Sequence, residues 1–173
     1  MAVLESLQFV PFGPYRFIGK SVYARAGSNH SGFIFGSLWQ YSKPVFDTLD
    51  RLNAHATAET DNAALLTSDK YDEEKQLLGY TVGRFMQAGT PVPEGLDYFD
   101  IPAMYVAKGL VSGEFDDMIV SADKLIMAAI SRQTEYAATW TVAAEIYKKA
   151  TVPESGVSSI YGYYIGCKKA GAE

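Results

Sequence analysis

The sequence predicts an α+β fold. Two strand-helix-strand-strand units join their strands in a mostly antiparallel sheet, with the helices on one face and a cleft at the pseudo-twofold. Three observations carry this expectation. Short segments rich in β-branched and aromatic residues alternate with helical patterns. The chain also repeats itself: Pro14-Tyr-Arg-Phe-Ile-Gly-Lys20 aligns with Pro102-Ala-Met-Tyr-Val-Ala-Lys108 at an offset of 88, and Leu77-Leu-Gly79-Tyr80 with Ile160-Tyr-Gly162-Tyr163 at an offset of 83. Finally, 173 residues, 48% of them hydrophobic, suit a single domain over 1–173, with repeat halves at about 11–90 and 98–169.

The elements follow in order. Residues 15–25 read as a strand between Pro14 and Gly27. Over residues 31–53, Ile34, Leu38, Tyr41, Val45, Leu49 and Leu52 fall at helical spacings, and Pro44 breaks or kinks the run. Residues 63–68 and 76–86 are two strands, with the polar 69–75 as their turn. The second unit opens with a strand over 101–111. A helix over 115–132 follows, its stripe made of Met118, Ile119, Ala122, Leu125, Ile126, Ala129 and Ile130. Residues 140–148 and 159–168 close the unit as strands, with Pro153 to Gly156 between them.

Composition excludes several function classes. Fifteen Lys and Arg against twenty Asp and Glu leave a net charge of -5, with no basic surplus to displace counterions, so no direct nucleic-acid partner is expected. No apolar run reaches the roughly 18 residues of a membrane span. The N-terminus carries Glu5 and no basic segment before its apolar residues, so a cytoplasmic protein without a signal peptide is expected. Cys167 is the sole cysteine, which removes a disulfide framework. His30 and His55 lack companions at metal spacing, and the acidic 69–74 turn lacks the register of a calcium loop. Asp116 and Asp117 open a helix, where carboxylates favour the dipole. With no phosphate-binding loop, dinucleotide fingerprint or nucleophile elbow, no cofactor, metal or catalytic residue is assigned.

What stands out is aromatic content: twelve Tyr, nine Phe and two Trp, 13% of the chain. Tyrosines serve both binding walls and half-buried packing. Glu145 lies in Trp140-Thr-Val-Ala-Ala-Glu145-Ile-Tyr147. Strand alternation there places Thr141, Ala143, Glu145 and Tyr147 on one face and the apolar Val142, Ala144 and Ile146 on the other. A carboxylate behind small residues, with tyrosine hydroxyls to keep it ionised, suits an organic cation. The plainer alternatives are a glutamate on a solvent-facing strand surface, or one in a salt bridge with Lys148. Phe35 and Trp39, at i,i+4 with Phe46 beyond, form a second aromatic stripe that serves as core or as groove wall.

Several segments together resemble a known family. They are Phe12-Gly-Pro-Tyr-Arg-Phe-Ile-Gly19, Leu38-Trp39, Leu78-Gly-Tyr80-Thr-Val82-Gly83, Val92-Pro-Glu-Gly-Leu96 through Ile101-Pro-Ala-Met-Tyr105, Ala144-Glu145-Ile-Tyr147 and Tyr163-Tyr-Ile-Gly166. In that order they resemble the GyrI-like effector-binding domains, the ligand-sensing half of multidrug-responsive transcription regulators. The resemblance implies a duplicated strand-helix-strand-strand fold. It also implies that Glu145 is the buried acid meeting cationic lipophilic ligands, that Tyr105, Tyr147 and Tyr164 wall the cleft, and that Trp39 is a helix tryptophan of small standalone members; Tyr80 and Phe35 complete the expected ligand set. Such members include integron-cassette drug-binding proteins. Two departures matter. Gly166 stands where a proline is usual, which predicts a looser strand end. No helix-turn-helix fits beside the effector domain, so a regulatory role needs a separate DNA-binding or regulatory partner.

The leading expectation is therefore a binder of cationic aromatic small molecules, for drug sensing or sequestration. The alternative is a hydrolase of strained or ester-like electrophiles with Glu145 as general acid or base. Oligomeric state is open.

Overall fold

A computed structural model describes residues 1–25, 29–72, 77–147 and 159–171, among which the chain forms eight strands and three α-helices. In chain order these begin with β1 (Val3–Phe12), β2 (Tyr15–Arg25), α1 (Asn29–Gln40) and α2 (Lys43–Arg51). A 3-10 turn, Asn53–His55, precedes β3 (Asn62–Asp72), β4 (Leu77–Gln87) and β5 (Asp97–Ile101). The chain ends with β6 (Met104–Gly113), α3 (Phe115–Ile130), β7 (Tyr136–Tyr147) and β8 (Ser159–Lys169). The elements fall into two compact units. One is continuous, Pro14–Pro102; the other is split, Met1–Gly13 with Ala103–Glu173.

In the continuous unit the antiparallel order is β3-β4-β2-β5. Proline breaks the predicted long helix as expected: Pro44 stands in the first turn of α2, where its missing N–H costs nothing. Beside it the buried Ser42 hydroxyl donates to the Leu38 carbonyl. Val45 and Leu49 of α2 pack on Ile18 and Met86 of the sheet. In the split unit the order is β1-β6-β8-β7, and α3 lies on one face of these strands. The apolar stripe of α3 is buried at Met118, Ala122, Ile126 and Ile130, against Ala107, Val111, Tyr161, Tyr163 and Ile165, whereas Ile119, expected in the stripe, sits at its edge and is exposed. Gly109 lets the helix settle, since a Cβ there would lie 2.2 Å from Ile126 Cδ1.

The predicted strand over 101–111 is two strands. Pro102 cannot donate to a ladder, and the chain changes partner across it: β5 pairs with β2, β6 with β1. Strand β1 itself is not predicted, because its exposure pattern lacks clean alternation. Strand β3 runs through Asp72, so residues 69–72 are strand rather than turn; 73–76 and the predicted turn at Pro153 to Gly156 lie outside the described residues.

The first sequence match pairs residues in different surroundings: Ile18 packs against α2, whereas Val106 alternates with Tyr105 and Ala107, the residues that face α3. The second match keeps its faces: Tyr80 packs with Phe35 and Trp39 of α1, and Tyr163 packs with α3.

One irregularity shapes β7. The register with β8 jumps between Ala138 and Ala143, and Trp140 takes a left-handed φ of 57° with its indole exposed. Gly166 faces this bulge: a Cβ there would lie 2.6 Å from Thr141 Oγ1 and 2.9 Å from Val142 N. The glycine thus marks a tight approach of two strands, not the looser strand end that its departure from proline predicts.

Candidate functional site

The last two strands assemble an acidic, ring-lined spot. Glu145 lies opposite Tyr163 in the β7–β8 register. Two residues along the same face, the Tyr147 hydroxyl donates to Glu145 Oε2 at 3.0 Å. The Tyr147 ring meets Tyr161 edge-on, centroids 5.3 Å apart, and tilts against Phe115 of α3 at 6.4 Å. As alternation requires, Val142, Ala144 and Ile146 are buried on the other face, while Glu145 is half-buried.

Tyr163 is buried, and burial is the main reason its phenol is held well above the usual range; the negative charges of Glu145 and of Asp123 on α3 push it further. The phenol therefore stays protonated, a neutral hydroxyl that can donate or accept a hydrogen bond. Glu145, by contrast, accepts a hydrogen bond from Tyr147. The arrangement presents a partly desolvated carboxylate bordered by phenol rings, with a second carboxylate nearby.

The other expected residues divide among several places. Tyr105 faces α3 too, but belongs to a separate stack: its ring lies 5.4 Å from Tyr136, which stacks on Phe9 at 4.5 Å, and Lys169 Nζ sits 5.3 Å over it. Tyr164 points to the opposite face from Glu145, because it neighbours Tyr163 in β8. There it meets Phe12 edge-on at 6.1 Å, with Lys108 Nζ 4.9 Å from its ring. In the continuous unit, Phe35, Trp39 and Tyr80 come together. Phe35 stacks on Tyr80 at 4.3 Å, and the Trp39 indole N–H donates to the Tyr80 hydroxyl at 2.9 Å. Phe46 extends this group, 5.9 Å from Trp39, with the Arg84 guanidinium over its ring.

Three residues near these rings are absent from the sequence assignment. Tyr163 is visible in the repeated Gly-Tyr motif, and Lys108 in the first repeat. Asp123 flanks the α3 stripe as a polar residue, and no pattern distinguishes it from a solvated one. Among the described residues no group of three or more His, Cys, Asp or Glu is placed to hold a metal ion. No helix there is long and apolar enough to cross a membrane. Cys167 is buried, and burial raises its thiol pKa, opposite to what a thiolate nucleophile needs.

No family model and no curated protein matches the chain. Solved structures do. An integron cassette protein from the mobile metagenome of Vibrio cholerae aligns at 12% identity with a TM-score of 0.54, covering 98% of this chain and 99% of that one. SAV2435, solved bound to tetraphenylphosphonium, aligns at 11% identity with a TM-score of 0.64, covering 96% and 94%. EcmrR, solved in a complex with DNA, aligns at 14% identity with a TM-score of 0.57, covering 95% of this chain and 58% of that one. At these identities the likeness is one of fold, and this chain shares the fold of an integron cassette protein, a cation-bound protein and a DNA-bound protein.

Proposed function

We propose that this protein binds lipophilic aromatic cations, with Glu145 as the charge partner and tyrosine rings as the wall, and that it does so as a duplicated strand-helix-strand-strand domain of the GyrI-like type. The observation that carries the reading is the half-buried Glu145 carboxylate, held by the Tyr147 hydroxyl at 3.0 Å beside Tyr163. A cation beside a half-buried carboxylate gains Coulombic attraction, and on aromatic rings it gains ~0.5–2 kcal/mol per desolvated contact. The tetraphenylphosphonium bound by SAV2435, a protein of the same fold, is such a cation. Duplication is supported by the matching strand order in the two units and by Tyr80 and Tyr163 facing their own unit's helices.

Binding is favoured over hydrolysis, with Glu145 as general acid or base, by the tetraphenylphosphonium complex of SAV2435, a protein of the same fold. The test is Glu145→Gln, titrated with tetraphenylphosphonium and with neutral triphenylphosphine oxide. Losing one desolvated charge pair should weaken the cation by ~2–4 kcal/mol, about thirty- to a thousand-fold, while the neutral ligand loses little. Equal losses for both ligands would make Glu145 structural and overturn the reading. Turnover beyond one equivalent of an ester-like electrophile would favour the hydrolase.

A further inference from the structure

We infer that Lys108 is a built-in cation occupying a second aromatic site, formed by Phe12 and Tyr164 on the face of the split unit turned away from α3, and that it keeps ligand cations out. Lys108 lies on β6 between β1 and β8, paired with Gln8 on one side and Tyr164 on the other. Its ammonium sits 4.9 Å from the Tyr164 ring centroid and 5.5 Å from that of Phe12. The two rings meet edge-to-face at 84° and are 4% and 2% exposed. Two desolvated rings around one ammonium are the chemistry by which proteins recognise alkylammonium ligands. Here the chain supplies the cation itself.

The consequence is a division of charge between faces. Glu145 attracts a cation on the side of α3. On the opposite side, a cation seeking Tyr164 meets the like charge of Lys108 and must displace it, losing the ring contacts Lys108 already makes. Tyr164 is thus a wall that ligand cations reach only when Lys108 leaves. This inference stands on the ring geometry, so it holds or fails apart from the Glu145 site.

The experiment silences the first face and opens the second. Tetramethylammonium is titrated into the full chain carrying Glu145→Gln, alone and combined with Lys108→Met or with Lys124→Met. The Lys124 variant makes the same charge change on the outer face of α3. Lys108→Met should bind at least about tenfold tighter than Glu145→Gln alone, the equivalent of 1.4 kcal/mol. Adding Tyr164→Leu should remove that gain. No gain, or an equal gain from Lys124→Met, would overturn the inference by reducing the effect to net charge. Should Lys108→Met fail to fold by circular dichroism, Lys108→Arg decides. A guanidinium still fills the rings, so the ammonium stays excluded, and tighter binding by that variant would sink the idea.

Discussion

Tyr163 is where burial and charge act on a single hydroxyl. Burial, Glu145 and Asp123 all oppose the phenolate. A group whose folded pKa is raised contributes stability that is fully present below the unfolded value, about 10 for tyrosine, and lost as pH rises from there toward the folded value. Thermal melts should therefore fall steeply above about pH 10, and Tyr163→Phe should flatten that limb. An unchanged slope would place the alkaline loss on other tyrosines. Glu145 was legible because alternation isolates it on a strand whose other face is apolar. The separation of Tyr164 from it was equally implicit in their strands, but only the β7–β8 register shows that Glu145 faces Tyr163 rather than Tyr164. Side chains from different elements carry no such signal: nothing in local sequence says that Asp123 of α3 bears on Tyr163.

Among the elements, β7 and β8 pair through an irregular register. The bulge around Trp140 holds a bulky residue at a left-handed φ of 57°, a conformation costing on the order of 1–3 kcal/mol unless its surroundings enforce it. Gly166 is part of that enforcement. Gly166→Ala should destabilise by ~1–3 kcal/mol, since the new methyl meets backbone at Val142 N. Gly109→Ala should cost less, because its methyl meets side-chain atoms, Cδ1 and Cγ1 of Ile126, rather than backbone. Chemical denaturation of both variants checks the ranking, and a reversed order would show that α3 yields less than β7. Helix α3 and the break at Pro44 were legible, since apolar spacing and a missing N–H act locally. Strand β1 and the register were not. Pairing between residues a hundred positions apart is decided by tertiary contact, and the register shift between Leu4 and Ser6 breaks the alternation of β1.

At the scale of the whole molecule, the chain leaves the split unit after Gly13 and returns to it at Ala103. Phe12 and Met104, the residues just outside that gap, are cross-strand partners. Gly13 has a φ of 76°, the sign a glycine needs at the first central position of a type II′ turn. Joining Gly13 directly to Ala103 would therefore leave a two-residue turn of the kind hairpins favour, with β1 and β6 as its arms. A chain of residues 1–13 and 103–173 so joined should melt cooperatively and protect the β1–β6 amides from hydrogen exchange; a non-cooperative melt would show that the split unit needs the other. In topological terms the split unit is an interrupted hairpin: the continuous unit is spliced into a turn, so the chain can be cut at Gly13 and Ala103 and resealed without breaking a single strand.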